Sequence, residues 1–269
     1  MKHLISITGA GPGDPELITV KARKRLEQAD VVLYDALPGD ALLRLAPPEA
    51  LFIYAGKLAN DGQNQQLRQE AIHQTLLRMA RKGKKVVRLK GGDPMIFGRG
   101  AEEIRFCRQN RLRYEVIPGI TAAMAAACEF EIPLTERNNS SMVLLYTGSR
   151  TNGRFDQLGT VVEVLKASST VSLYMGLKNL GALADALIQA GVEANTRVNI
   201  LSKVSHPGSE SLCGTLANIA SLILLHRPAT PAMILIGKYA EIICEEESRK
   251  GTEKQAIQPR LHLQTGLSC

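Results

Sequence analysis

Two glycine-rich segments, each directly after an apolar run, are the parts of this 269-residue chain whose residue types and spacing suit ligand chemistry. The first is Gly9-Ala10-Gly11-Pro12-Gly13-Asp14-Pro15. The second is Lys90-Gly91-Gly92-Asp93-Pro94, followed by Ile96-Phe97-Gly98-Arg99-Gly100. Glycines at a strand end permit a tight turn and let a ligand approach the backbone closely. Asp35 closes the apolar run Val31 to Tyr34, at about the distance from the first loop where a dinucleotide-binding fold places an acid for a ribose. Two details count against a dinucleotide. The spacing is GxGxG rather than GxGxxG, and Pro12 and Pro15 remove amide donors from the turn that would hold a pyrophosphate. The first loop therefore suits a ligand without phosphates, with a purely structural turn as the competing reading. In the second, Asp93-Pro94 reads as a turn initiator and Glu102-Glu103 as the acidic first turn of a helix.

These loops need a sheet to carry them. Short β-rich apolar runs alternate with segments of helical period, the pattern of an α/β protein with a largely parallel sheet. Strands are predicted at Leu4 to Thr8, Val31 to Tyr34, Leu51 to Tyr54, Val86 to Leu89 and Tyr114 to Ile117. A helix is expected from around Glu16. Another is expected over Asn64 to Ala80, where Leu67, Ala71, Ile72, Leu76, Met79 and Ala80 recur at helical intervals. After the Pro118-Gly119 break comes an alanine-rich helix, Thr121 to Cys128. A second alternation follows, with strands at Met142 to Thr147, Thr170 to Met175, Val198 to Leu201 and Ala232 to Ile236. The organisation expected is an α/β domain over residues 1–118, a second over 119–244, a ligand cleft between them, and a mobile tail over 245–269.

Composition narrows the partners. The chain is 45% apolar and 22% charged, ordinary for a globular protein, and no apolar run approaches the roughly 20 residues a membrane helix needs. No secretory h-region forms before Gly9, so a cytoplasmic protein without membrane association is expected. The five cysteines are scattered and lack CxxC spacing, which encodes neither a disulfide framework nor a metal site. The net charge of +7 is uneven: residues 1–119 hold 20 Lys/Arg against 13 Asp/Glu, while the rest balances. Such a half favours an anionic partner. With no Trp and only 4% aromatic residues, nucleic acid is not the expected one. Part of the basic run has a bland reading, since Arg78, Arg81 and Lys82 lie where a helix would end before Gly83.

The order of the motifs carries a resemblance. Gly9 to Asp14, Val31 to Asp35, Gly56-Lys57, Val86 to Pro94 with Ile96 to Gly100, and Pro118-Gly119-Ile120-Thr121-Ala122 closely resemble uroporphyrinogen-III C-methyltransferases, of the tetrapyrrole methylase family. The likeness runs from about Leu4 to Glu241 and includes Ile132 to Thr135, Tyr174-Met175-Gly176 and Pro231-Ala232-Met233. It implies a two-domain α/β transferase, a homodimer, that binds S-adenosylmethionine between its domains, without a metal. It would methylate two ring carbons of uroporphyrinogen III, giving precorrin-2 for siroheme or cobalamin. By position, the resemblance makes Asp35 the base and Lys57 an acid. It places the cofactor against Pro12, Gly91, Gly92, Asp93, Ile96, Thr121, Ala122, Met175 and Val204. Without it, Asp35 reads as a helix N-cap, Lys57 as a solvated charge, and Ile96 and Met175 as core filling.

Three places depart from that pattern. Leu58 to Asn64 replace a basic, His-containing stretch. Glu136 precedes Arg137 where the family has His, and Lys203-Val204 replaces Asn-Gly. Glu136 would repel a carboxylate unless it points away or pairs with Arg137, and Val204 poorly tolerates a positive φ. Two alternatives stay open on these grounds: a divergent methylase of another anionic acceptor, and a cofactor-binding regulatory module without turnover.

Overall fold

The computed structural model describes residues 4–36, 39–56, 65–151 and 153–241. Lys57, the altered segment 58–64 and the expected tail 245–269 lie outside the described residues. The first sheet is built from β1 (Ile5–Gly9), β2 (Val31–Tyr34), β3 (Leu51–Tyr54), β4 (Val86–Lys90) and β5 (Tyr114–Ile117), in the order β3-β2-β4-β1-β5 with every pair parallel. The central strands β1 and β4 are buried along their whole length because helices cover both faces, so that Ser6, Thr8, Arg88 and Lys90 lie in the interior along with the Ile, Val and Leu residues. On one face α3 (Gln65–Arg81) and α4 (Gly100–Gln109) bury Leu76, Met79 and Cys107 against Ile5, Ile7 and Leu33. On the other, α1 (Val20–Leu26) and α2 (Asp40–Leu43) bring Leu26 and Leu42 onto Val32 and Leu89.

The second sheet contains β6 (Val143–Thr147), β9 (Thr170–Tyr174), β10 (Arg197–Ser202), β11 (Glu210–Thr215) and β12 (Ala232–Ile236), in the order β11-β10-β12-β9-β6. Strands β7 (Arg150–Thr151) and β8 (Arg154–Phe155) form a separate small ribbon. Helices α6 (Leu158–Lys166), α7 (Leu180–Gln189) and α8 (Ile219–His226) follow the alternation. The alanine-rich α5 (Ala122–Glu129) lays Ala123 and Ala126 with Leu201, Met233 and Leu235. Only β6 and β9 are parallel here; the other three pairs of this sheet are antiparallel. The expectation of a largely parallel sheet thus holds for the first sheet and is corrected for the second. Edge strand β11 was missed because Glu-Ser-Leu-Cys-Gly-Thr has neither an apolar run nor a clear alternation.

The helix expected from Glu16 is also corrected. Pro15–Leu17 is one 3-10 turn capped by Asp14, whose carboxylate accepts from Glu16 N at 2.8 Å. Ile18 is then extended, and α1 begins only after Thr19, whose hydroxyl accepts from Ala22 N. The basic end of α3 stands as expected, with Arg78 and Arg81 in its last turn and Gly83 at φ +73. Among the described residues no helix is long and apolar enough to cross a membrane.

Candidate active site

The chain leaves β1 toward β2 and leaves β4 toward β5. Two adjacent strands thus send their loops in opposite directions, which is where open α/β sheets bind ligands. Here the two glycine loops are laced together. Gly92 N donates to Gly11 O at 2.7 Å and Gly11 N to Gly92 O at 3.2 Å, while Ala10 N donates to Lys90 O at 2.7 Å. The turn after β5 joins them through Asp93, whose Oδ2 accepts from Gly119 N at 3.0 Å and whose Oδ1 accepts from Met95 N at 2.7 Å. A side chain at Gly119 would place its Cβ 2.2 Å from Gly92 O and 2.9 Å from Gly9 Cα. Several of these glycines are therefore demanded by loop-against-loop approach, and Asp93 spends both oxygens holding the frame.

Above this frame, between the two sheets, lies a cavity of about 600 Å³, within the usual size of a small-molecule site. Pro12, Asp35, Gly91, Gly92, Asp93 and Ile96 reach its wall from the first sheet's loops. Thr121, Ala122, Met175 and Val204 reach it from the other side. The ten described candidates thus share one cavity. Asp35 does not cap a helix: α2 begins five residues later with Gly39 at its N-cap. Its Oδ1 instead accepts from Gly91 N at 3.4 Å. Met175 is half exposed at φ +52, which argues against core filling. Val204 is buried, and the positive φ values fall on its neighbours, Lys203 at +52 and Ser205 at +62. Lys203 and Ser205 thus carry the left-handed backbone that sequence reasoning feared for Val204. Glu136 is exposed and accepts from Asn139 Nδ2 at 2.9 Å in a short turn.

Several residues of the wall were not singled out in advance. Tyr174 closes β9, and its hydroxyl meets Thr121 Oγ1 at 2.7 Å and accepts from Ala123 N at 3.3 Å, tying the start of α5 to the second sheet. Burial pushes this phenol's pKa up, and its ring lies 4.9 Å from that of Phe97. Arg88 and Lys90, assigned no role of their own from sequence, are buried at the wall and both bond the carboxylate of Glu103. Burial lowers the pKa of the Lys90 ammonium, with Arg88 adding to the effect and Glu103 opposing it. Glu103 is in the first turn of α4 as expected, yet faces the interior rather than solvent. The available signal was two cations two residues apart in an otherwise apolar strand, hence on one face of it. Among the described residues no group of three or more His, Cys, Asp or Glu is placed to hold a metal ion.

A family model described as Tetrapyrrole (Corrin/Porphyrin) Methylases matches residues 5–220. The chain belongs to this family. The tetrapyrrole methylase resemblance read from the motifs therefore stands, as does the α/β class. Among curated tetrapyrrole methylases, a siroheme synthase of Psychrobacter cryohalolentis is 44% identical over 87% of this chain, which spans only 44% of that protein. The chain spans less than half the length of the first three curated relatives it matches. A uroporphyrinogen-III C-methyltransferase of Priestia megaterium is 38% identical over 87% of this chain and 97% of its own length. Among solved structures, the uroporphyrin-III C-methyl transferase of Thermus thermophilus complexed with S-adenyl homocysteine superposes with a TM-score of 0.76. It is 32% identical, over 90% of this chain and 96% of its own.

Proposed function

We propose that this tetrapyrrole methylase transfers methyl groups from S-adenosylmethionine to two ring carbons of uroporphyrinogen III, giving precorrin-2 for siroheme or cobalamin. One observation carries the reading. Asp35, the proline-containing first loop and the Gly91-Gly92 turn converge on a single cavity, in a chain that spans nearly the whole of a relative named for this activity. The donor set suits the cofactor. Pro12 and Pro15 offer no amides for phosphate, and a Cβ built on Gly92 would meet nothing closer than Thr121 Cα at 3.8 Å, so the space beside it is open to a ligand. Ile96, Ala122, Met175 and Val204 add apolar surface.

When bound, S-adenosylmethionine supplies an electrophilic methyl on a sulfonium. The chain's own task is geometric: to hold donor and acceptor in line, which by itself lowers a bimolecular barrier substantially. In this reading the Gly91 to Asp93 turn and the Thr121-Tyr174 pair fix one side of that arrangement. Asp35 accepts the proton that leaves the methylated macrocycle, and Lys57 serves as the acid. Arg68, Lys178 and Arg99, the last paired with Glu102, give the cavity wall cationic groups that suit a polycarboxylate acceptor. A neighbouring recess lined by Asp14, Asp40 and Glu129 does not. A cytoplasmic homodimer completes the proposal.

The test is incubation of purified protein with uroporphyrinogen III and methyl-labelled S-adenosylmethionine, with two labels per macrocycle expected. Tight binding of the cofactor with no transfer to any tetrapyrrole would overturn the reading in favour of a regulatory module. Transfer confined to another acceptor would indicate a divergent methylase.

A further inference from the structure

The reading above leaves one charge cluster unused. Arg88 Nε and Lys90 Nζ donate to the same oxygen, Glu103 Oε1, at 3.1 and 2.8 Å. Glu103 is wholly buried, and its Oε2 has no hydrogen-bond partner. Arg88 Nη1 donates to the carbonyls of Leu33 and Leu89 at 3.3 and 3.0 Å. Its Nη2 faces Asp35 Oδ2 across 3.9 Å, too far for a hydrogen bond. An arginine fork favours two parallel bonds to a carboxylate. Arg88 withholds them from Asp35 because Glu103 and the two carbonyls already engage its other edges.

We propose that Glu103 is a positioning residue: by holding Arg88 and Lys90 under the cavity floor, it keeps the Arg88 fork from closing on Asp35 and leaves that carboxylate turned to its substrate. The inference rests on the reading of Asp35 as the proton acceptor. Neutralising Glu103 leaves two buried cations short of a counter-charge. Arg88 then turns to Asp35 and draws it out of the cavity. A merely structural Glu103 would balance the two cations without reference to Asp35, so its loss would slow the enzyme whether or not Asp35 is present.

A double-mutant cycle separates these roles. Single-turnover methyl transfer is measured for the wild type, Glu103→Gln, Asp35→Asn and the pair, with calorimetric binding of S-adenosylhomocysteine on all four. Glu103→Gln is expected to lower the rate about 10- to 100-fold alone, yet less than about 3-fold in the Asp35→Asn background, with cofactor-product affinity within about 3-fold throughout. Rate losses that multiply would overturn the proposal, and so would a loss of affinity matching the loss of rate. If Glu103→Gln does not fold, Glu103→Asp keeps the charge but shortens the reach, and the same cycle applies. A near-native rate for Asp35→Asn would remove the Asp35 reading and this inference with it. A slow Asp35→Asn with multiplying losses removes only the role of Glu103.

Discussion

Gly92→Val separates backbone cost from ligand space. Gly92 has φ +65, a conformation that costs an ordinary residue about 1–2 kcal/mol and a β-branched one at least as much. The nearest atoms to an added Cβ are Thr121 Cα at 3.8 Å, Ala122 N at 3.9 Å and Ile120 O at 4.0 Å, so the protein itself has room for the substitution. The branched side chain then enters the lip of the cavity beside α5. A cofactor seated there loses contact or must shift, which at the scale of overpacking is about 2 kcal/mol, or about 30-fold in Kd. Gly83 supplies the control. It has φ +73 with nothing within 4 Å, at the end of α3 that leads into β4 rather than at the loop that leaves it. Gly83→Val should therefore carry the same backbone cost and leave binding alone. Calorimetry with S-adenosylhomocysteine and thermal unfolding would be run on both variants. Wild-type affinity in folded Gly92→Val, or an equal loss in Gly83→Val, would refute the reasoning.

Three further outcomes are expected. Asp35→Asn should lower methyl transfer by about 10² to 10⁴ in a single-turnover assay; Asp35→Ala, which also removes the acceptor of Gly91 N and a carboxylate facing buried Arg88, should lower the melting temperature more than Asp35→Asn does. Glu115 is buried in β5, and although burial raises its carboxyl, hydrogen bonds from Arg25, Lys21 and Ser6 outweigh this and hold its pKa at about 2. The distance from 4.5 corresponds to about 3 kcal/mol at most, lowered by the exposure of Lys21 and Arg25 to about 2 kcal/mol. With the folded pKa below the unfolded one, this stability is complete above about pH 5 and fades as pH falls toward 2. Denaturant unfolding should thus show Glu115→Gln weaker than wild type at pH 7 and nearly equal to it near pH 2. Tyr174→Phe keeps the ring against Phe97 but removes the hydroxyl that joins Thr121 and Ala123 N, and should cost about 1–2 kcal/mol in the same assay.

Much of this protein was legible in one dimension because the signals are local. The strands of the first sheet are short Val- and Ile-rich runs between breakers, and all five match the expected segments to within a residue at each end. The missing amides of Pro12 and Pro15 are a covalent fact that needs no structure. The ordered motifs identified the family, and every described candidate from Pro12 to Val204 lines one cavity.

What tertiary structure decided depends on groups distant in sequence. The sign of strand pairing in the second sheet follows from how β9, β10 and β12 stack, and apolar runs of four to six residues carry no direction. Gly9, read in sequence as part of a loop open to a ligand, and Gly119, read only as a break, are required because a Cβ on either would fall within 3 Å of facing backbone, whereas Gly92 keeps open space beside it. Asp35 reads as a helix cap in sequence and is not one, since α2 starts after Gly39. The excess charge of the first half includes Arg88 and Lys90, which face Glu103 inside the protein and add little to the surface field. Sequence fixes which residues carry charge; burial, which only the packed fold creates, decides whether that charge meets solvent, a ligand or another side chain.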